Sequence, residues 1–315
     1  MSAGRQRGAA VIMALFVATL ATLIVSGLFW QQFVLLRTIE NQQLLAQSRL
    51  LMAGALDWAR AMLREDAMRS SHDGLDEFWA KGLAETRLDQ LGESSVLAAQ
   101  ASIAGSIEDA QSRLNLRNLI DDSGEIIAAE VESLQRLCEL LDAPKATAEL
   151  IALRMKEAFA PATTGDNPAA KPVIRPLPPI YAADIAAISG VDPAAADRLA
   201  RYVVVLDRNK TALNVNTVSA EVLAARANIS LSRARALVAQ RERLSYFNDV
   251  ADFRKYLGAA DEPAAGDAGL STSSSYFFVR GQIRLSRADI RMEALVRRAA
   301  QAGGGPVEVL WQREL

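Results

Sequence analysis

Gly4-Arg5-Gln6-Arg7-Gly8-Ala9-Ala10-Val11-Ile12-Met13-Ala14-Leu15-Phe16 opens a run that carries no charged side chain from Gly8 to Leu36. A helix rises about 1.5 Å per residue, so Ala9 to Trp30 alone spans roughly 33 Å, enough to cross a bilayer. Arg5 and Arg7 flank the run on its N-terminal side, and the positive-inside rule then leaves the short N-terminus in the cytoplasm and the mass of the chain outside. A cleaved secretory signal has a shorter apolar core followed by a small-residue cleavage site; here the run flows into Gln31 to Met62 without a break.

The order of parts, a basic leader ending in Gly8, a small residue at Ala9 and a continuous apolar helix, resembles the class III signal of type IV pilin-like proteins. That resemblance implies cutting by prepilin peptidase between Gly8 and Ala9. In pilin-like proteins the fifth mature residue is usually a glutamate that neutralises a neighbour's terminal ammonium inside the membrane, where an unpaired charge is costly. Counting from Ala9, that position holds Met13, a departure expected of the K subunits of type II secretion pseudopilins.

With 315 residues, half of them hydrophobic, the chain can bury a sizeable core beyond the membrane helix. A formal charge of −2 gives no global reason to expect nucleic acid or an acidic surface as partner. The single cysteine, Cys138, lies in an apolar helical stretch and reads as a buried structural thiol, because a nucleophile would need a base and the chain has one histidine. That histidine, His72, stands in His72-Asp73-Gly74 and reads as a solvated turn.

From Gln31 the helical pattern continues to about Asp66, and Leu44, Leu51, Ala55, Trp58 and Met62 recur at helical spacings that predict one packed face. Short helical runs are expected around Phe78, Trp79 and Leu83 and around Val96. Ala101 to Asp109 alternates like a half-buried strand with Ile103 and Ile107 on one side. Near the C-terminus, Tyr276 to Leu285 alternates strongly, with Phe277, Val279, Ile283 and Leu285 facing one way. Runs at Arg291 to Arg298 and, beyond Ala302-Gly303-Gly304-Gly305-Pro306, at Val307 to Gln312 complete a three-stranded antiparallel meander. Pairing it with the strand near 105 predicts a sheet packed on the long helix, an α+β fold.

The residues between read as an almost wholly helical insertion with a weak internal repeat: Leu114-Asn115-Leu116-Arg117-Asn118-Leu119 is echoed by Leu213-Asn214-Val215-Asn216-Thr217-Val218. Helix pairs break at Asp142-Ala143-Pro144 and Asn228-Ile229-Ser230, and a third unit at Ser189-Gly190-Val191-Asp192-Pro193 precedes a helix from Ala194 to Val205. The asparagines suit helix entry, accepting from first-turn amides. Pro161 to Pro179 reads as an exposed loop. The expected organisation is a leader at 1–8, a membrane segment at 9–36, a pilin-like α/β domain at 37–112 and 268–315, and an all-α insertion at 113–267.

Ile188 through Asp192, Leu213-Asn214-Val215-Asn216-Thr217, and Tyr246-Phe247-Asn248-Asp249-Val250-Ala251-Asp252-Phe253, together with Leu114-Asn115-Leu116 and Asn118, resemble the signature of the type II secretion system protein K family. With Gly8, Ala9 and Met13 the resemblance covers essentially the whole chain. It implies a non-enzymatic minor pseudopilin, single-pass in the bacterial inner membrane with its bulk in the periplasm, and methylated after cleavage. Its implied partners are the I and J minor pseudopilins, H below them, prepilin peptidase, and the secretin channel or exoproteins at the tip. No cofactor is required; members can bind calcium, for which Asp121-Asp122-Ser123-Gly124-Glu125 and Asp249, Asp252, Asp261, Glu262 and Asp267 are the acidic candidates, although neither fits the EF-hand loop.

Two other readings use the same residues. The helix-turn-helix units resemble helix-hairpin-helix motifs, and Lys210, Arg226, Arg233, Arg235, Arg241 and Arg243 outweigh Glu221 and Glu242 locally, as in a membrane-anchored DNA receptor. Against that, the turns at 142 and 228 lack the glycines that let backbone approach phosphate. A minor pilin of a type IV pilus machine is the other, and the inserted helical domain argues against it. A periplasmic enzyme has no constellation to build on: the sequence has one histidine, one cysteine, no Gly-x-Ser-x-Gly and no metal-spaced cluster.

Overall fold

The computed structural model describes residues 6–92, 96–159, 175–257, 269–299 and 305–315. One helix, α1, runs from Gln6 to Arg69, 64 residues, or about 96 Å at the ordinary helical rise. In its apolar first half two threonine hydroxyls bond back into the helix: Thr19 Oγ1 donates to the Leu15 carbonyl at 2.9 Å and Thr22 Oγ1 to that of Ala18 at 2.8 Å. Residues 8–39 are exposed throughout, and burial sets in only at Ser48.

The packed face of α1 differs from the expected one. Ser48, Met52, Leu56, Ala59 and Leu63 are buried, whereas Leu44, Leu51, Ala55 and Met62 are half-buried flanks and Trp58 is 52% exposed. The apolar arc of this helix is wide enough to hold both sets. The sheet takes the arc centred on the smaller Ala59 and leaves the bulky Trp58 at the rim.

Five antiparallel strands form the sheet, in the order β1 (Leu83–Arg87), β2 (Ala101–Asp109), β7 (Tyr276–Leu285), β8 (Ala288–Arg298) and β9 (Val307–Glu314). The expected pairing of the strand near 105 with the C-terminal meander is present in continuous register, from Ala101 opposite Leu285 to Asp109 opposite Phe277. β1 is an addition: Phe78–Lys81 is a single 3-10 turn, Gly82 breaks it with φ +66°, and Leu83 opens a strand rather than continuing a helix. A short helix, α2 (Val96–Ala99), lies where one was expected. The sheet's inner face joins Met52, Leu56, Ala59 and Leu63 to Trp79, Ile107, Phe277, Val279 and Ile283 in one core, with Trp79 edge-on to Phe277 at 5.2 Å. Gly281 lets the helix come close, since a Cβ there would sit 2.8 Å from Met52 Sδ.

Residues 114–257 build a second core. Its helices are α3 (Ala128–Leu140), α4 (Ala146–Phe159), α5 (Pro193–Ala200), α6 (Ala220–Ala227), α7 (Leu231–Leu244) and α8 (Val250–Lys255). The breaks expected near 143 and 229 are there. Side chains of Asp192, Ser219, Ser230 and Asp249 accept from the amides that begin α5, α6, α7 and α8. Two expectations are corrected. The helix placed at Ala194 to Val205 ends at Ala200, and Val203–Val204 forms a short strand, β4. Nor is the lobe wholly helical: Leu114–Asn115 (β3) pairs in parallel with β4, and Leu213–Asn214 (β5) with Leu270–Ser271 (β6). Both members of the sequence repeat therefore become parallel strand pairs. The loop expected at Pro161 to Pro179 lies largely outside the described residues, as do Ala302, Gly303 and Gly304.

The polarity of the sheet along α1 fixes where the inserted lobe sits. The β7–β8 turn lies beside the middle of the helix, where Arg287 reaches Asn41 Oδ1 at 2.8 Å and Glu40 at 3.2 Å. The opposite end lies beside the helix C-terminus, where Arg298 donates to the Leu63 carbonyl at 3.1 Å. At that distal end Ala110, Val204 and Leu206 pack on Tyr276, Phe278 and Leu295 of the sheet's outer face. The lobe thus caps the end of the molecule farthest from the membrane-length segment.

Candidate functional site

Gly8, Ala9 and Met13 lie in the first turns of α1, all exposed, and the helix passes through the Gly8–Ala9 bond without a break. Residues 1–5 of the leader lie outside the described residues. The most apolar 18-residue window of α1 has a mean hydropathy of 2.5 and none of it is buried. An unburied helix of this kind needs lipid or neighbouring helices around it.

The second site is the junction where α1, the sheet and the inserted lobe meet. Asn214 of β5 donates through Nδ2 to the Asp73 carbonyl at 3.0 Å, to Asp109 Oδ2 at 2.9 Å and to Ser274 Oγ at 2.9 Å. Asp109 Oδ2 also accepts from Ser274 Oγ at 2.6 Å and Thr217 Oγ1 at 2.5 Å. Burial without a cation in contact pushes the Asp109 carboxyl up to about 6, against the pull of those hydroxyls. Asn115, the equivalent residue of the first repeat, holds its own lobe together: its Oδ1 accepts from the Arg117 and Leu206 amides, and its Nδ2 donates to the Arg208 carbonyl at 2.7 Å. Helix entry accounts for the Arg117 bond only; the larger part of each asparagine's role is to tie distant backbone together.

His72-Asp73-Gly74, expected as a solvated turn, packs into this junction, with Asp73 and Gly74 buried and His72 half-buried. Asp73 is 1% exposed and receives Arg298 Nη2 at 2.6 and 2.7 Å. Asp66, near the end of α1, takes Arg298 Nη1 at 3.1 Å. Burial, with Glu77 and Asp73 nearby, pushes Asp66 up to about 7; burial also raises Asp73, against the pull of Arg298. His72 stacks on Tyr246 with ring centroids 3.6 Å apart. Asp66, Asp73 and Glu77 bring carboxylate oxygens within 4.8 Å of one another, and Arg298 pairs with the first two. The only hint in the sequence was an arginine ending an alternating strand. Nothing there links it to residue 73.

The remaining candidates are occupied by local partners. Asp121 Oδ1 accepts from the Ser123 and Glu125 amides, and Asp122 pairs with Lys210 at 2.5 Å. Asp249 caps α8 and Asp252 pairs with Lys255. Asp261, Glu262 and Asp267 lie outside the described residues. Among the basic residues, Arg241 is buried and donates to the Val215 and Val218 carbonyls, Arg226 pairs with Glu130 at 2.6 Å, Arg233 reaches the Tyr256 carbonyl and Arg235 faces Glu221. A phosphate backbone would have to compete with all of these. Cys138 is buried and free, and burial pushes its thiol up to about 11, which makes it inert.

A long N-terminal helix, half unpacked and half laid on an antiparallel sheet, defines a pilin-like, membrane-anchored subunit. Two family models, both described as type II secretion system protein K, match residues 112–208 and 213–273, together about half of the chain. The chain is also 26% identical over 324 aligned positions to the type II secretion system protein K of Pseudomonas aeruginosa, covering 97% of this chain and 92% of that one. Its fold matches a chain in the crystal structure of the GspK-GspI-GspJ complex of the enterotoxigenic Escherichia coli type 2 secretion system, with a TM-score of 0.67 and 23% identity over 88% of this chain and 98% of that one. The chain belongs to the type II secretion system protein K family, a family of minor pseudopilins rather than of enzymes.

Proposed function

We propose that the chain is the tip subunit of a periplasmic pseudopilus, helping to start and cap the filament that drives export of folded proteins across the outer membrane. The observation that carries this reading is the placement of the inserted lobe at the membrane-distal end of the molecule, beside Asp66 and Arg298 rather than beside Glu40. A mass of that size inside a tightly packed helical shaft would collide with the next subunit; at the end of the shaft it meets none. Met13 supports the same position. Lacking a carboxylate, it cannot neutralise the terminal ammonium of a subunit above it, so it suits a place with none above.

In this reading prepilin peptidase cuts between Gly8 and Ala9, the new N-terminus is methylated, and α1 anchors the chain in the inner membrane with the lobes in the periplasm. The I and J minor pseudopilins join it at the tip, a grouping supported by the existence of a GspK-GspI-GspJ complex, and H lies below. The secretin channel or exoproteins then meet the inserted lobe. The N-terminal mass of protein from membranes of cells with and without the peptidase tests the first step. A chain starting at Ala9 is expected only with the peptidase present and Gly8 intact; Gly8→Val should stay uncut. An uncut N-terminus in every strain would overturn the reading.

A further inference from the structure

A cleft of about 440 Å³ opens under the inserted lobe, between the outer face of the sheet and a roof made by α5 and the 3-10 turn Ala182–Ala187, a volume in the ordinary range for ligand sites. Its floor is a row of alternating charges that crosses the strands. Arg113 Nη2 donates to Glu108 Oε2 at 3.0 Å, Arg280 bridges Glu108 and Glu293 with its Nε 2.8 Å from Glu293 Oε1, and Arg313 Nη2 donates to Glu293 Oε2 at 2.6 Å. The row begins and ends on arginine, so three guanidiniums share two carboxylates, and each carboxylate oxygen already has a partner. A guanidinium carries five N–H donors, which leaves donors in surplus along the floor. Aromatic faces steady the two end arginines, with Arg113 4.9 Å from the Phe278 ring centroid and Arg313 4.3 Å from that of Tyr181. The roof adds Asp197 and Arg201, both exposed and without an ion pair among the described residues. Four arginines therefore stand against three carboxylates, an excess of one positive charge.

We propose that this cleft is a docking site for an extended acidic segment of a partner protein, whose carboxylate side chain completes the arginine row while an apolar neighbour packs on Tyr181 and Trp311. Those two rings meet edge-on at 4.8 Å and form an apolar wall beside Arg313. A guanidinium fork receives a carboxylate through paired charge-assisted bonds, and the same bonds gain strength where aromatic walls keep water away. The sheet edge selects a chain over a small free acid. β9, which supplies Trp311 and Arg313, is the last strand of the sheet, with no strand beyond it among the described residues. An extended segment can lie along such an edge and turn alternate side chains onto the outer face beside Arg313. A row that only braced the strands would need neither the surplus guanidinium nor the open volume above it.

The test takes the full chain in detergent micelles and selects from a library of random peptides. Ala183→Trp, which fills the cleft from an exposed position of its roof, serves as the counter-selection. Peptides that prefer the wild type are expected to carry aspartate or glutamate next to an apolar residue. In fluorescence titrations of a selected peptide, exchanging its carboxylate for the amide should weaken binding about tenfold or more, the loss of one hydrogen bond to a charged group. Arg201→Glu and Arg313→Gln should each do the same; in the second, Glu293 keeps Arg280, so its burial stays compensated. Arg69→Glu, at the end of α1 and outside the cleft, should leave binding unchanged. A library that yields no peptide preferring the wild type, selected peptides without acidic residues, or binding unaffected by both Arg201→Glu and Arg313→Gln would overturn the proposal.

Discussion

Arg298 holds two carboxylates at once, the buried Asp73 and the half-buried Asp66, and also the Leu63 and Ser274 carbonyls at 3.1 and 2.8 Å. Removing one partner from such a set leaves uncompensated buried charge, which typically costs about 3–5 kcal/mol. Arg298→Ala should therefore lower the urea midpoint sharply at pH 8. Without the guanidinium both carboxyls rise further, so the deficit should shrink as pH falls and they take up protons; an equal deficit at pH 8 and pH 5 would contradict the assignment. None of these pairings was legible in the sequence. Residues 66, 73, 109, 214, 274 and 298 have no shared period or motif, and only the topology brings them to one corner. Asn115 and Asn214 were singled out by their repeat, and the repeat turned out to mark backbone clamps.

The elements were far more legible than the residues that join them. β7 was readable from end to end, because a strand covered on both faces still alternates when its two faces are packed by different things, Phe277 and Val279 by α1 and Tyr276 and Phe278 by the inserted lobe. The course of α1 was readable from continuous apolar patterning, but its packed face was not, since periodicity fixes the arc and not which part of it meets the sheet. β1 was missed for a different reason. An edge strand of five residues with little burial carries almost no pattern. Two glycines test the packing of α1 in opposite senses. Gly281→Val forces a side chain against Met52 and should cost about 1–3 kcal/mol. Nothing lies within 4 Å of a Cβ at Gly54, so Gly54→Ala, inside the helix, should stabilise by roughly 0.5–1 kcal/mol. Urea unfolding of both variants would show whether the helix lies on the sheet as described.

At the scale of the whole molecule, three parts are arranged along one axis: an unpacked apolar segment, a helix-on-sheet body, and a lobe fastened to the far end through buried polar groups. That fastening, with Asp73, Asp109 and Asn214 all under cover, makes the lobe a fixed cap rather than a tethered appendage. A fixed cap suits the end position proposed for this subunit. The measurement that tests this most directly is electron microscopy of isolated pseudopili labelled with gold-conjugated antibody against the inserted lobe. Label is expected at one end of each filament and none along the shaft. Label spaced regularly along the shaft would contradict it.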